Sequence, residues 1–150
     1  MITLEIMTKD RITEEYINWL NDPEFNKYLS CKVHQTRATV EKYIDSYTYH
    51  PAKRIFCILN DGEHIGNITT QFTNEGLYVG ISIKSSVQRK GYALKALQEL
   101  EKFYPNKDMV AGIDQDNTAS LALFKKAGYF VEKVVMRKIR DTSNFYQRPL

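Results

Sequence analysis

Across residues 77–104 the apolar pattern changes period, and that change constrains the fold more than any other feature of the chain. Leu77-Tyr78-Val79-Gly80-Ile81-Ser82-Ile83 is apolar and β-branched, the pattern of a strand. Downstream, Ala93, Leu97, Leu100 and Tyr104 recur at helical spacing, so residues 93–104 read as a helix with one buried side. Between the two lies a basic turn, Gln88-Arg89-Lys90-Gly91-Tyr92-Ala93. After a break at Pro105-Asn106-Lys107-Asp108, a short apolar run returns at residues 109–113. Strand, helix, strand at this length demands a right-handed crossover and a parallel strand pair.

The turn has a chemical use. The first amides of a helix lack partners within it and the helix dipole there favours negative charge, so phosphate groups dock on them. Gly91 lets the backbone approach a ligand closely. Arg89, Lys90, Lys84 and Lys95 bring positive charge to the same place. A solvated basic turn between two core elements gives the same pattern, and short glycine patterns are weak signals alone.

At 150 residues the chain reads as one domain, residues 1–150. Its 43% hydrophobic and 26% charged residues are ordinary for a soluble globular protein. A net charge of only +3, from 21 basic and 18 acidic residues, argues against a nucleic-acid partner. The basic stretch Met136-Arg137-Lys138-Ile139-Arg140 alternates as a half-exposed strand does. No apolar run approaches the ~20 residues that cross a bilayer and no leader pattern opens the chain, so no membrane role and a cytoplasmic location are expected. Cys31 and Cys57 read as reduced thiols, and His34, His50 and His64 are too scattered for a metal site.

Elsewhere, residues 1–7 alternate Ile2, Leu4 and Ile6 inward as a first strand. Thr13 suits the N-cap of a first helix, stapled by Ile12 to Ile17 and stopped at Asn21-Asp22-Pro23. Thr36 opens a second helix that ends at His50-Pro51. A meander follows: strands at residues 54–59 and 64–72, turned by Asn60-Asp61-Gly62-Glu63, then Thr73-Asn74-Glu75-Gly76 leading into the strand that ends at Ile83. Asp116 or Asn117 caps a further helix ending with Gly128 at C′, and residues 130–139 and 145–148 read as a final antiparallel pair.

Gln88-x-x-Gly91-x-Ala93 resembles the Q/R-x-x-G-x-G/A pyrophosphate loop of the GNAT superfamily of acyl-CoA-dependent N-acetyltransferases. The stretch from Asn117 through Ser120, Phe124 and Lys126 to Gly128-Tyr129 resembles that family's second signature. Two motifs in order, with a short strand between them, are far more specific than either, and the similarity covers residues 65–138. It implies an α/β GNAT fold: a mixed central sheet of about six or seven strands, helices on both faces, and a parallel pair that splays apart at one end.

The resemblance also implies a reaction, acetyl transfer from acetyl-CoA, as co-substrate, to an amine. Gln88, Arg89, Lys90, Gly91, Tyr92 and Ala93 would bind the cofactor's diphosphate, and Ile81, Ser82 and Ile83 its pantetheine arm through main-chain atoms. The amide of Ile83 or a neighbour would face the thioester carbonyl. Gly80 is either the mark of a strand bulge or a plain strand glycine. Many family members protonate the leaving thiolate with a tyrosine where this chain carries Phe124; branches that read N-x-x-S, such as the ribosomal-protein N-terminal acetyltransferases, use the serine instead, and by that resemblance Ser120 is the candidate acid, a small residue in a tight helix contact being the alternative. Asn117 would hold the arm or a water, or simply cap its helix. Glu75 and Tyr78 are the favoured candidates for the base, with His64 behind them.

Tyr16-Ile17-Asn18-Trp19-Leu20-Asn21-Asp22-Pro23 is similar to the opening W-L-x-D-P segment of the ribosomal N-terminal and amino-sugar branches of the family. Trp19 and Asp22 are therefore the candidate acceptor-binding residues, with Phe25, Tyr28 and Glu24 nearby; core packing and helix capping are the alternatives. A small-molecule amine, an amino-sugar nucleotide or a peptide N-terminus fits as acceptor, and a monomer or homodimer as the assembly. Two other classes stay open. One is a CoA-binding regulatory domain without catalysis, for which Phe124 speaks. The other is an interaction scaffold, for which nothing in the sequence speaks.

Overall fold

Alternation of apolar and polar side chains builds a sheet whose two faces are covered by different helices. The computed structural model describes residues 1–27 and 33–132. Its strands are β1 (Ile2–Ile6), β2 (Lys53–Asn60), β3 (Glu63–Thr73), β4 (Gly76–Ile83) and β5 (Met109–Val110). They lie side by side in chain order, antiparallel through β4, with β5 parallel to β4. Asn60 pairs with Glu63 across Asp61 and Gly62, both at positive φ (49° and 87°), which is the two-residue turn that matches strand twist.

The helices are α1 (Glu14–Leu20), α2 (Pro23–Asn26), α3 (Arg37–Thr48), α4 (Tyr92–Phe103) and α5 (Thr118–Lys126). Their starts follow the cap chemistry of the sequence. Thr13 accepts from the Tyr16 amide, Thr36 and Thr39 form a reciprocal capping box, and Asn117 accepts from the Ser120 amide. Asp22 caps α2 and Pro23 occupies its first position, so the chain restarts a helix where a single stop was expected. Gly128 takes φ +100° just beyond α5.

Phe56, Ile58, Ile68, Leu77 and Val79 meet Ala96, Leu97 and Leu100 of α4 on one face of the sheet. Ile55, Cys57 and Leu59 meet Tyr16, Trp19, Val40, Ile44 and Tyr47 on the other. Leu97 and Leu100 are sealed from solvent, each contributing about 1.5–3 kcal/mol of apolar transfer. In β1 the alternation holds for Ile2 and Leu4 but leaves Ile6 exposed, and Met7 fills the second cluster instead.

Two features of the sheet shape the site. The β2–β3 register shifts between Ile58 and Leu59, leaving Ile65 unpaired, and the Ile65 carbonyl takes the Lys84 amide at 2.8 Å. The bulge therefore sits in β3 and not at Gly80, where β3 and β4 pair without a break. Gly80 instead makes room for Thr69, whose hydroxyl oxygen would lie 2.8 Å from an added Cβ. The second feature is the splay. Pairing of β4 with β5 stops at Tyr78 opposite Val110, so the parallel partner is two residues long where residues 109–113 were expected.

Five strands are present among the described residues. The expected final pair at 130–139 and 145–148 lies outside them apart from Phe130, Val131 and Glu132, which are in no strand. Tyr28, Cys31 and the basic stretch at 136–140 also lie outside.

Candidate active site

Leu77 donates its amide to the Asp108 carbonyl at 2.8 Å, across the β5 edge. Amides alternate sides along a strand, so those of Val79, Ile81 and Ile83 point to the same edge. Beyond Val110 the edge has no strand partner among the described residues, and Ile81 and Ile83 present bare amides to the gap. The side chains of Ile81 and Ile83 pack toward α4, while that of Ser82, paired with Asn67, takes the opposite face.

At the wide end of this gap stands the basic turn. Arg89 (φ 65°) and Gly91 (φ 80°) are both left-handed, Gly91 being the N-cap of α4. Alternating handedness of this kind curls successive amides into an anion-binding concavity. The amides of residues 89–93 meet no acceptor among the described residues, and an added Cβ at Gly91 would meet nothing within 4 Å. Arg89, Lys90 and Lys95 are exposed there. A diphosphate suits this turn on donors, space and charge alike.

The Gln88 side chain faces back to the strand. Its side-chain amide donates to the Ile83 carbonyl at 2.9 Å, bracing the turn against the end of β4. Lys84 is not part of the cationic rim. It is 9% exposed, its ammonium paired with Glu15 at 3.0 Å and Glu63 at 3.1 Å and 5.7 Å from the Trp19 ring centre. Burial works against its charge, but the two carboxylates outweigh burial and hold its pKa above the ordinary lysine value.

On α5, Asn117 accepts the Ser120 amide at 3.1 Å, and the half-buried Ser120 hydroxyl takes no partner among the described residues. Phe124, expected to touch the cofactor, is 4% exposed in the core, edge-on to Tyr129 with ring centres 4.9 Å apart. Burial pushes the Tyr129 hydroxyl to about 12, and that hydroxyl lies against the Met109 sulfur at 3.4 Å.

The face opposite α4 carries a cavity of about 70 Å³, lined by Tyr16, Gln35, Tyr43, Asn67, Thr69, Ser82 and apolar side chains of α1, α2, α3 and β2. Trp19 does not open into it as an acceptor platform. It is 8% exposed, edge-on to Tyr16 and His64 with ring centres 4.9 Å apart in both cases, because its helix packs that side into the sheet. Its indole nitrogen is buried without a partner among the described residues. Asp22 is likewise engaged: it caps the Glu24 amide at 3.0 Å and takes the Ser85 hydroxyl at 2.5 Å. The Ser85 bond, with the Glu24 amide, holds its carboxyl below the usual range.

Tyr78 and Glu75 sit at the start of β4, the end away from the turn, where the Tyr78 hydroxyl reaches Glu75 at 3.4 Å; neither lines the cavity. His64 lies nearer the site, its Nε2 2.8 Å from Asn67 Oδ1, and Asn67 Nδ2 donates to the Tyr16 hydroxyl at 2.7 Å. Burial, against the opposing bonds to Asn67 and Gly66, lowers the His64 pKa and keeps the ring neutral. The Tyr16–Asn67–His64 chain was missed in the sequence, because three residues on two elements leave no local spacing to read. A larger hollow of about 340 Å³, between the end of α4 and residues 127–132, holds none of the expected site residues. Among the described residues there is no metal-binding cluster and no helix long and apolar enough to cross a membrane.

The profile of the family described as acetyltransferase (GNAT) domain matches residues 2–129. A protein of Bacillus subtilis (strain 168) named as the uncharacterized N-acetyltransferase YfmK is 34% identical over 70 residues, 45% of this chain and 47% of that protein, so the match spans about half of each. Among solved structures, aminoglycoside acetyltransferase AAC(6')-Ib, in complex with coenzyme A and kanamycin, superposes with a TM-score of 0.76 at 19% identity over 90% of this chain and 87% of its own. The acetyltransferase from Salmonella typhimurium that modifies the N-terminal serine of ribosomal protein L7/L12 gives 0.71 at 17% identity, over 84% and 78%.

Proposed function

The chain belongs to the acetyltransferase (GNAT) domain family, and on that premise we propose that it transfers an acetyl group from acetyl-CoA to a primary amine by direct attack within a ternary complex. One observation carries this reading. The bare amide edge of β4 opens beside a basic, left-handed turn whose amides also lack partners.

In this reading the amides of residues 89–93, with Arg89 and Lys90, take the diphosphate, and Gln88 holds the turn to Ile83. The pantetheine arm lies along the edge of Ile81 and Ile83, so the thioester falls toward the vertex of the splay, and the Ile81 amide is the donor for its oxyanion. A donor of this kind contributes roughly 3 kcal/mol to the transition state. The amine arrives from the cavity on the Ser82 face. It sheds a proton to water or a cavity group before attack. The new C–N bond forms as the C–S bond breaks; the departing thiolate takes a proton from Ser120, and the proton that the nitrogen loses on becoming an amide returns through water to the Ser120 oxygen. Phe124 has no proton to give and is locked in the core.

A CoA-binding domain without turnover is the second reading, favoured by Phe124 in place of the usual tyrosine. Thiol release from acetyl-CoA across a panel of amines separates the two. Steady, acceptor-dependent release is expected, and its absence with every amine would leave the binding reading standing. Ser120→Ala should lower kcat by about 10²–10⁴ with CoA affinity retained, the usual range for losing a general acid. A full rate would remove Ser120 from the mechanism.

A further inference from the structure

The acceptor-side cavity has a chemistry that selects among amines. Its polar lining is neutral: Tyr16, Gln35, Tyr43, Asn67, Thr69 and Ser82, with no carboxylate among the described residues. The carboxylates on the surrounding helices are exposed or already engaged, Glu15 by Lys84, Asp22 by Ser85, Glu24 by Lys27 and Glu41 by Arg37. An acceptor with several ammonium groups would desolvate positive charge there with nothing to offset it.

Within that lining, a buried hydroxyl is left with a proton to give. Tyr16 is 4% exposed, and its hydroxyl oxygen accepts from Asn67 Nδ2 at 2.7 Å. In the structure Asn67 turns Oδ1, which can only accept, toward His64, and this orientation goes with the tautomer whose Nε2 carries the proton of their 2.8 Å bond. The Tyr16 proton therefore has no acceptor among the described residues, and Tyr16 lines the cavity. Burial pushes its pKa well above the ordinary phenol value, so the proton stays in place. A buried hydroxyl proton without a partner is costly, and an occupant bearing an acceptor oxygen removes that cost.

The cavity is open on one side. Its roughly 70 Å³ takes the amino end of an acceptor and the carbonyl next to it, and the rest of a longer molecule lies outside.

Resting on the transferase reading above, we propose that the acceptor is a small α-amino carbonyl compound, an amino-acid amide or a peptide N-terminus, whose carbonyl oxygen takes the Tyr16 hydroxyl proton. Tyr16 is then a specificity-determining residue, and polyamines and aminoglycosides are poor acceptors.

The test uses the full chain, acetyl-CoA and four amines: alaninamide, isopropylamine, spermidine and kanamycin, each compared per concentration of free base. Alaninamide is expected to exceed the other three in kcat/KM by roughly tenfold or more, the worth of one well-placed hydrogen bond. In Tyr16→Phe the alaninamide-to-isopropylamine ratio should fall by about the same factor. Comparing a ratio removes any general loss of activity caused by leaving Asn67 half-satisfied. Preference for spermidine or kanamycin overturns this inference alone. So does an unmoved ratio in a folded Tyr16→Phe variant; if that variant does not fold, the wild-type panel decides. Thiol release with none of the amines overturns the transferase reading and this inference with it.

Discussion

Gly91 separates backbone strain from ligand electrostatics, and three substitutions at it measure each. Its φ of +80° is left-handed, which costs an L-residue roughly 1–2 kcal/mol. An added Cβ meets no atom within 4 Å, so no steric term joins that cost in the free protein. Gly91→Ala, Gly91→Gln and Gly91→Glu should therefore lose about the same stability. At about 2–4 °C per kcal/mol for a domain of this size, Tm falls by roughly 2–8 °C in all three, well short of unfolding. Coenzyme A affinity should then part Glu from its isostere Gln. A carboxylate about 4 Å from a phosphate charge is repelled by ~1 kcal/mol in bulk water and ~4 kcal/mol at the effective dielectric of a protein surface. That corresponds to a weakening of between about five-fold and a thousand-fold, shrinking as salt is added. Calorimetric titration of the three variants, beside their melting curves, supplies every number needed. Equal affinity for Gln and Glu would mean that the diphosphate is not held at this turn, and the reasoning from bare amides would fail with it.

Two further outcomes follow from burial. Phe124→Ala should destabilise the domain by about 3–5 kcal/mol in a urea titration, because the ring is 4% exposed and edge-on to Tyr129; a loss under ~1 kcal/mol would put the ring in an open cleft. His64 gives a pH dependence. Its folded pKa lies below the ordinary 6.5, so the folded state binds that proton less readily than the unfolded chain. Stability from the neutral ring is fully present above 6.5 and is lost as pH falls from there through the folded value. The urea midpoint should drop between about pH 7.5 and about pH 5 and drop less in His64→Gln; identical slopes would show that the ring is not held neutral by the fold.

How far the sequence could be read depended on the range of the forces involved. Helix starts were legible because a cap is a local bond: Thr13, Thr36 and Asn117 each accept from an amide within three residues. The strand–turn–helix junction was legible because its period and its glycine are local too. The roles of charged and aromatic side chains were not, since those depend on what lies across the fold. Lys84 read as part of the cationic rim, yet its partners are Glu15 and Glu63, 69 and 21 residues away. Trp19 and Asp22 read as acceptor residues on their segment's likeness, and the packing of α1 and the Ser85 hydroxyl engage them otherwise. Gly80 left a bulge and a plain strand glycine open, because a bulge belongs to a strand pair, and the register slip lies one strand over, at Ile65.

Those misplaced charges explain how two half-sites keep a common frame. Lys84 and Ser85 belong to the short link between β4 and the basic turn, and each is tied back to the helices on the cavity side, Lys84 to Glu15 of α1 and Ser85 to Asp22 at the start of α2. Glu15 and Glu63 are largely exposed, 70% and 65%, so these pairs add little to stability. Their effect is geometric. An ammonium with 11% of its side chain exposed would be costly without its carboxylates, so α1 and β3 cannot shift away from the link without uncovering it. Gln88 extends the same constraint to the turn through the Ile83 carbonyl. The turn proposed for the diphosphate, the edge proposed for the arm and the wall proposed for the amine are thereby referred to one residue pair, Ile83-Lys84. Positional precision of that kind is what attack by a bound amine on a bound thioester requires, since the reacting atoms must meet at about 3–3.5 Å.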